Sequence, residues 1–342
     1  MKTQFLHIDG SQGEGGGQVL RTSLALSLIT QTPIRLENIR ANRAKPGLMR
    51  QHLTAVRAAA AIGNAIVEGD VIKSQVLTFI PGRAVGGNYR FSIGTAGSTL
   101  LVLQTVLPPL MLAEATSIIE IEGGTHNSMA PSFDYIERVF LPLLKQMGCD
   151  ISLSLERAGF YPAGGGFIRV KIVPAAKLKS IEIPERGELL TIRAYAALCN
   201  LPNEIALREL KILTKKLELS TKETSVMRYD DSSGAGNVLS VECRSKSITE
   251  LFTAFGEKGL AAEEVARKVV KEVQRYLKSD APVGDYLADQ LLLPMALAGR
   301  GSFRATSLSR HFSTNQTIIQ KFLDVNITTK REDRFCWLVE IN

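Results

Sequence analysis

The sequence predicts an α/β (α+β) fold in which one supersecondary unit occurs three times, together with a small inserted α/β domain. The first observation is a strongly apolar helical pattern with a single glutamine, found at three places in the chain. The second is that a β-prone run, a polar loop, another helix and another strand follow each of these patterns. The third is that residues 185–280 break this order. Repeats on this scale indicate one module that buries a shared core, so we expect a large domain over residues 1–184 and 281–342.

The first unit begins with a β-prone run and a glycine-rich segment, residues 10–17, that surrounds one carboxylate, Glu14. Because glycine loses more backbone entropy on folding than other residues, such a run indicates positive φ angles or close approach of the backbone to a ligand. The standard phosphate-loop signatures do not fit. The chain has no G-x-x-x-x-G-K-[ST], and Gln18 stands where G-x-G-x-x-G needs its last glycine. The run therefore predicts a site without identifying its ligand.

The elements of the three units follow in the same order. The first helices carry Gln18, Gln104 and Gln290, and the last two share Gln-x-x-x-Pro and are apolar all round, which predicts that they are buried. In the first unit the β-prone run, the polar loop and the second helix are predicted at 34–39, 41–47 and 48–62. In the second unit they are predicted at 117–121, 123–131 and 132–147, and in the third unit at 302–305, 307–313 and 314–323. One further strand is expected to close each unit.

Residues 185–280 predict a small α/β domain inserted between the second and third units. The pattern predicts strands at 189–196, 225–229 and 238–243 and helices at 204–217 and 261–278. The last helix carries one apolar stripe, which indicates packing on a core. The stripe consists of Ala262, Val265, Val269, Val273 and Leu277.

Composition favours a soluble, cytoplasmic protein. Hydrophobic residues make up 45% and charged residues 22%, and no apolar run is long enough to span a bilayer, so we expect no membrane partner. No leader is apparent in Met1–Phe5, and the 4 cysteines form no C-x-x-C pair, which favours reduced thiols over a disulfide frame or a zinc site. The net charge of +7 favours a polyanionic partner, although a mildly basic enzyme has the same charge. The cluster of basic residues over 35–57 favours phosphate binding.

The histidines differ in their surroundings. His7 lies in the first predicted strand, and His52 could support phosphate binding or cap a helix. His126 and His311 occupy matching loops, but His311 lies at the start of a predicted helix that Thr314 or Asn315 could cap, with its N–H groups facing an anion. A lone histidine is more often structural, so His311 is the best of four weak candidates.

A second candidate cluster opens the third apolar helix. Tyr286, Asp289 and Gln290 are spaced i, i+3 and i+4 and therefore share one face. An aromatic ring, a carboxylate and an amide together suit the binding of adenine and ribose. The structural alternative is that acidic residues in the first turn interact favourably with the helix dipole. The carboxylates of Glu14 and Asp289 are candidates to hold Mg²⁺ if the fold brings them together.

These stretches resemble the RNA 3′-terminal phosphate cyclase family over essentially the whole chain. The motifs that carry the resemblance are Asp9–Gln18, Arg40–His52, Gly159–Gly166 (Gly-Phe-Tyr-Pro-Ala-Gly-Gly-Gly), Tyr286–Gln290 (Tyr-Leu-Ala-Asp-Gln) and Ser309–Asn315 (Ser-x-His-x-x-Thr-Asn). The order of five separate motifs makes the resemblance specific. It implies three βαβαβ-type units like the C-terminal domain of a translation initiation factor, plus a small inserted α/β domain.

The resemblance also implies an ATP-dependent reaction on RNA that carries a 3′-phosphate. His311 attacks the α-phosphate of ATP, AMP passes from the histidine to the RNA 3′-phosphate, and the 2′-hydroxyl closes a 2′,3′-cyclic phosphate and expels AMP. The implied metal is Mg²⁺ or Mn²⁺, and DNA 3′-phosphate or 5′-phosphate ends stay open as further substrates. The implied nucleotide site consists of Gln104, Tyr286, Leu287, Ala288, Asp289 and Gln290, with Glu14 at the metal or triphosphate and Arg21, Arg40 and Arg43 at phosphates.

Two other protein classes share features with this sequence. The cyclase-like ribosome-assembly proteins resemble the family but lack the histidine of the Ser-x-His-x-x-Thr-Asn motif, and this chain has His311. Enolpyruvyl transferases are also built from repeated βαβ-type units, but that function leaves His311 and the Tyr286–Gln290 motif unexplained. The loop at Thr125–Pro131 varies within the family, so we assign His126 no catalytic role.

Overall fold

Four sheets of four strands each, flanked by helices, make up residues 4–342, the part of the chain that this computed structural model describes. In three sheets the first strand in sequence pairs parallel with the second, the second pairs antiparallel with the fourth, and the fourth pairs antiparallel with the third. The predicted α/β class is confirmed. Part of the Met1–Phe5 segment, residues 1–3, lies outside the described residues. None of the described helices is long and apolar enough to cross a bilayer.

The first sheet places the glycine run beside the basic loop. Its unit consists of β1 (Leu6–Asp9), α1 (Gly17–Thr30), β2 (Ile34–Glu37), α2 (Arg50–Gly63), β3 (Ile66–Glu68) and β4 (Leu77–Ile80). Because β1 and β2 are parallel, the segments that follow them leave the same edge of the sheet. The Gly10 amide donates to the Glu37 carbonyl at 2.7 Å, and the Asn42 side chain donates to the Ser11 carbonyl at 3.1 Å.

The second sheet has the same strand order and a buried first helix. Its unit consists of β5 (Asn88–Ser92), α3 (Thr99–Met111), β6 (Ser117–Gly123), α4 (Phe133–Tyr135), α5 (Leu141–Gln146), β7 (Asp150–Arg157) and β8 (Gly166–Val173). A π-helical segment, Ile136–Phe140, joins α4 to α5. Almost every residue of α3 is buried, as its apolar pattern predicts.

The fourth sheet belongs to the segment expected to be inserted, which follows β9 (Glu182–Ile183). This segment consists of β10 (Leu189–Cys199), α6 (Asn203–Leu217), β11 (Thr224–Arg228), β12 (Gly236–Ser245), β13 (Thr249–Phe255) and α7 (Ala262–Lys278). Its two helices pack on the sheet around a separate cluster of apolar side chains, to which the stripe of α7 contributes. The strand β13 is absent from the sequence prediction.

The third sheet combines β9 with the last part of the chain. Its remaining elements are α8 (Asp285–Ala298), β14 (Gly301–Ala305), α9 (Arg310–Phe322), β15 (Ile327–Asp333) and β16 (Cys336–Ile341). The predicted start of α9 at Thr314 is wrong. The Ser309 hydroxyl accepts a hydrogen bond from the Phe312 amide at 3.1 Å, which makes Ser309 the N-cap and places Thr314 and Asn315 inside the helix.

Helices of the three units pack against one another in the interior. Helix α1 packs against α3 and α9, and α8 packs against α9. One continuous apolar core extends through the three units. Each unit closes with a hairpin of two strands rather than the single strand expected, because the third and fourth strands pair antiparallel. All four cysteines are free and buried.

Candidate functional site

A cleft of about 420 Å³ lies where helices from all three units approach one another. The glutamines of the three apolar helices, Gln18, Gln104 and Gln290, all line it. The Gln104 amide nitrogen donates to the Gln290 side-chain oxygen at 3.2 Å. The three glutamines that mark the first helix of each unit in the sequence therefore line one cleft.

The walls of the cleft suit a flat, largely apolar group. Tyr286, with 62% of its surface exposed, stands at the mouth, and Asp289 and Gln290 face the same space, as their helical spacing predicts. Opposite lie the loop 128–132 and the strand β13, which contributes Leu251 and Phe252. Sequence patterns missed both of these walls. Pockets with apolar walls and a few polar groups are typical of small-molecule sites.

His311 lies in the first turn of α9 and reaches the cleft. Its Nε2 lies 3.1 Å from Oε2 of Glu14, although the two residues come from the third and first units. Burial lowers the pKa of His311 below its usual value, the Glu14 carboxylate raises it, and the positive charges of Arg21 and Arg43 lower it further. The net direction is downward, so the imidazole is neutral at pH 7.

The glycine run positions Glu14. Gly13 and Gly15 have φ angles of +62° and +59°, which side chains rarely adopt, and a Cβ on Gly16 would overlap the Glu14 carboxylate. The Glu14 amide donates to Oγ1 of Thr314 at 3.2 Å, which ties the run to α9. The loop geometry thus presents the carboxylate to the first turn of the helix that carries the histidine.

Positive charge is concentrated around the start of α1. Arg43 donates to Oε2 of Glu14 at 2.8 Å, and Arg21 is buried, so that desolvation lowers its pKa to about 10. Burial and three neighbouring arginines lower the pKa of His52 to about 3, and its Nε2 lies 2.7 Å from the position of a Cβ on Gly17. No side chain caps α1. An uncapped helix N-terminus beside two arginines is an anion-binding arrangement.

Asp289 lies across the cleft from this positive charge. Burial raises the pKa of its carboxyl to about 7, Arg21 lowers it, and Glu14 raises it. Glu14 and Asp289 both raise the pKa of Arg21, so both carboxylates lie close enough to act on one guanidinium. With a pKa near 7, the Asp289 carboxyl can lose its proton readily at neutral pH when a cation or another ligand binds beside it.

The donor set fits a magnesium ion held jointly with a substrate. Within residues 4–342, no group of three His, Cys, Asp or Glu side chains is arranged to hold a metal ion. Mg²⁺ uses one or two carboxylates and takes its other ligands from water and phosphate oxygens. Glu14, which is 11% exposed and faces the anion-binding end of α1, has the chemistry to serve as such a ligand.

Asn315 holds the three elements of the site together. Its side-chain oxygen accepts from Nε2 of Gln18 at 2.8 Å and from Oγ1 of Thr22 at 2.7 Å, both on α1. Its amide nitrogen donates to the Asp289 carbonyl on α8 at 3.1 Å. The motif residue expected to cap a helix instead joins α1, α8 and α9.

Some predicted site residues do not reach the cleft with their side chains. Leu287 and Ala288 are fully buried in the core, so a role for them in binding stays a prediction that their side chains do not support. The Arg40 guanidinium donates to the carbonyls of Lys45 and Gly47 and so braces its own loop. His126 is buried between Thr125 and Asp134, in contacts typical of a structural histidine.

Asp285 connects the segment 189–278 to the loop before His311. One carboxylate oxygen accepts from Arg275 of α7 at 2.6 Å, and the other accepts from Oγ1 of Thr306 at 2.5 Å. Glu250 of β13 accepts from the Gly284 amide at 2.5 Å. All three contacts involve residues at the start of α8, directly before Tyr286.

Comparison with known proteins gives one consistent result. The profile of a family described as RNA 3′-terminal phosphate cyclase matches residues 12–329. Proteins of this name in Koribacter versatilis and Ralstonia nicotianae are each 50% identical to the chain, over 95% and 96% of it and 92% and 94% of their own lengths. The protein of the same name in Salmonella agona is 49% identical over 96% of both chains. A solved structure, the enolpyruvyl transferase NikO from Streptomyces tendae, aligns with 98% of this chain and 48% of its own at 10% identity and a TM-score of 0.34, too low to support an argument.

Proposed function

The chain belongs to the RNA 3′-terminal phosphate cyclase family and is thus an enzyme of the ligase class, and we propose that it uses ATP to convert an RNA 3′-phosphate into a 2′,3′-cyclic phosphate. The observation that carries the proposal is the contact between His311 and Glu14 at the edge of the cleft. A half-buried, neutral imidazole beside an anion-binding helix end is suited to attack a bound phosphate.

In the first step, a ring nitrogen of His311 attacks the α-phosphorus of ATP. A P–N bond forms, the α–β phosphoanhydride bond breaks, and pyrophosphate leaves. Arg43 and Arg21 stabilise the charge that develops on the leaving group. A triphosphate bound by Arg43 would compete with Glu14 for the same guanidinium, and the Glu14 carboxylate would then be available to hold Mg²⁺ or Mn²⁺. Such a metal supplies Lewis-acid stabilisation of phosphate oxygens.

In the second step, an oxygen of the RNA 3′-phosphate attacks the same phosphorus. The P–N bond breaks, His311 is released, and the RNA end becomes RNA(3′)pp(5′)A. In the third step, the neighbouring 2′-hydroxyl oxygen attacks the 3′-phosphorus and loses its proton, and AMP leaves. The sum is RNA 3′-phosphate plus ATP giving the cyclic phosphate, AMP and pyrophosphate.

The cleft is proposed to hold the adenosine. Tyr286 offers its ring to the adenine, and Gln104 and Gln290 offer amide groups to the polar edges of the nucleoside. Asp289 also lines the cleft, where its carboxyl can accept from a ribose hydroxyl. This arrangement leaves the triphosphate directed at the start of α1.

We assign the catalytic body to residues 1–184 and 281–342, and the inserted domain to residues 185–280. The common strand order of three sheets supports their origin from one unit of the initiation-factor type. The inserted domain supplies one wall of the cleft through β13, so its role includes shaping the nucleotide site. A cytoplasmic location stays a prediction.

The test is product analysis with a short RNA that ends in a 3′-phosphate. With ATP and Mg²⁺, the wild-type protein is expected to yield a phosphatase-resistant cyclic end and one AMP per end. His311→Ala should give neither product, whereas His7→Ala, at an exposed position on β1, should behave as wild type. Cyclisation by His311→Ala would overturn the proposed mechanism.

A further inference from the structure

The surface beside the start of α2 carries an exposed aromatic and a cation that the proposed reaction does not use. Tyr161, at the tip of the β7–β8 hairpin, is 78% exposed. Pro162 next to it, Gly94 and Thr95 on the loop after β5, and Arg50 at the start of α2 are exposed as well. These five residues are called the Tyr161 surface below.

The start of α2 connects the loop under the Tyr161 surface with the anion-binding end of α1. His52 lies against Gly17 there, and Arg50 is two residues before His52 on the same helix. The side-chain oxygen of Gln51 accepts from the Ser98 amide at 2.7 Å, which fixes the start of α2 to the loop after β5. Nη1 of Arg50 lies 3.7 Å from the position of a Cβ on Gly94.

The Tyr161 hairpin packs on the same loop. A Cβ on Gly164 would lie 2.8 Å from Cα of Ala96, so only glycine allows the hairpin to approach this closely. The Gly164 amide donates to the Phe160 carbonyl at 2.7 Å, and the Phe160 ring stacks on His126 with centroids 5.0 Å apart. Phe160 is buried, whereas its neighbour Tyr161 points outward from this fixed base.

An exposed aromatic and a cation that lie against the same loop form an arrangement suited to single-stranded nucleic acid. Bases stack on the ring, and the cation contacts the phosphate between them. The glycine at position 94 leaves room for a sugar-phosphate backbone to lie against the protein backbone. An RNA whose 3′-phosphate lies at the start of α1 must continue away from that point, and the start of α2 leads from there to the Tyr161 surface.

The geometry points to Tyr161 and Arg50 as the binding site for the single-stranded RNA immediately upstream of the reacting 3′-phosphate. This inference rests on the proposed function and names the residues against which the substrate RNA lies. A separate cavity of about 490 Å³ is lined by two arginines and by three carboxylates, Glu122, Glu156 and Asp231, so its net negative charge does not favour phosphates.

The test is equilibrium binding of a fluorescein-labelled RNA oligonucleotide with a 3′-phosphate, without ATP, followed by anisotropy. Tyr161→Ala is expected to raise the Kd about tenfold, the lower part of the range for base–aromatic stacking, and Tyr161→Phe should restore it. Arg50→Ala should raise the Kd and reduce its salt dependence. Phe335→Ala removes the exposed aromatic from the tip of the equivalent hairpin in the third sheet and should leave the Kd unchanged.

A length series separates stacking from a general loss of structure. A nucleoside 3′-phosphate is too short to reach Tyr161 and should bind wild type and Tyr161→Ala equally. Covalent labelling of His311 by ATP, which does not involve RNA, should be unchanged in Tyr161→Ala. An unchanged Kd for the oligonucleotide, or an equal loss for long and short ligands, would overturn the inference. Absence of labelling in the wild-type protein would instead overturn the proposed function.

Discussion

Replacing Glu14 by glutamine removes one negative charge from the His311 contact and keeps the size of the side chain. The two groups lie 3.1 Å apart, which corresponds to about 5 kcal/mol at an effective dielectric constant of 20 and about 1 kcal/mol in bulk water. His311 is 44% exposed, so solvent screening moves the effect toward the lower value. We therefore expect the pKa of His311 to fall further in Glu14→Gln.

The sign of this change follows from the charge states. A neighbouring carboxylate stabilises the imidazolium, so its removal favours the neutral ring and lowers the pKa. Attack on ATP requires the neutral ring. The acid limb of the pH–rate profile for enzyme adenylylation should therefore move to lower pH in Glu14→Gln, while the plateau rate falls at least about tenfold if Glu14 also serves the metal or triphosphate.

Two measurements check this prediction. The histidine ring ¹⁵N shifts give the pKa of His311 directly, and single-turnover adenylylation across pH gives the acid limb. Glu37→Gln removes a carboxylate from β2 that is paired with Arg35 and is the matched control. A His311 pKa that is unchanged or higher in Glu14→Gln would refute the electrostatic reasoning, whereas an unchanged plateau would refute the proposed role of Glu14 in catalysis.

Three further predictions concern the supports of the site. Gly16→Ala should abolish adenylylation because the new Cβ displaces the Glu14 carboxylate, whereas Gly87→Ala, where a Cβ meets only the neighbouring Tyr89 ring at 3.5 Å, should leave the adenylylation rate unchanged. Asn315 is 4% exposed, and in Asn315→Leu the side chains of Gln18 and Thr22 lose their hydrogen-bond acceptor. This variant should lower the free energy of unfolding, measured in urea, by about 2–4 kcal/mol. The control Gln320→Ala, on the exposed face of α9, should change it by less than about 0.5 kcal/mol. Burial raises the pKa of Glu250 to about 8, so the stability it contributes is present below pH ~4.5 and lost as pH rises through about 8; Glu250→Gln should be more stable than wild type at pH 9 by on the order of 3 kcal/mol in urea titrations, and equal stability there would contradict this account.

Sequence patterns predicted what depends on local order. The apolar helices with Gln104 and Gln290 are buried, and Tyr286, Asp289 and Gln290 share one face, because helical periodicity fixes both properties. The start of α9 was misplaced by four residues because Thr314 and Asn315 are also common caps. Ser309, which has the same preference, occupies that position.

Local sequence patterns do not predict contacts between residues that are distant in the chain. The Glu14–His311 pair, the Asn315 hydrogen bonds to α1 and the wall formed by β13 join residues that are far apart in the chain. Nothing in the sequence shows that Arg40 braces its own loop while Arg43 reaches Glu14. The resemblance to the cyclase family implied His311 as the nucleophile and the reaction that we propose, and the structure shows the neighbours of His311.

The central claim is that His311 carries AMP during the reaction, and covalent labelling tests it most directly. The wild-type protein, incubated with α-³²P-ATP and Mg²⁺, is expected to retain a label that acid removes and alkali does not, because a phosphoramidate has this stability. Peptide mapping should place the label on His311, and His311→Ala should take up none. Label on another residue, label that survives in His311→Ala, or a wild-type protein that cyclises RNA without ever being labelled would contradict the account.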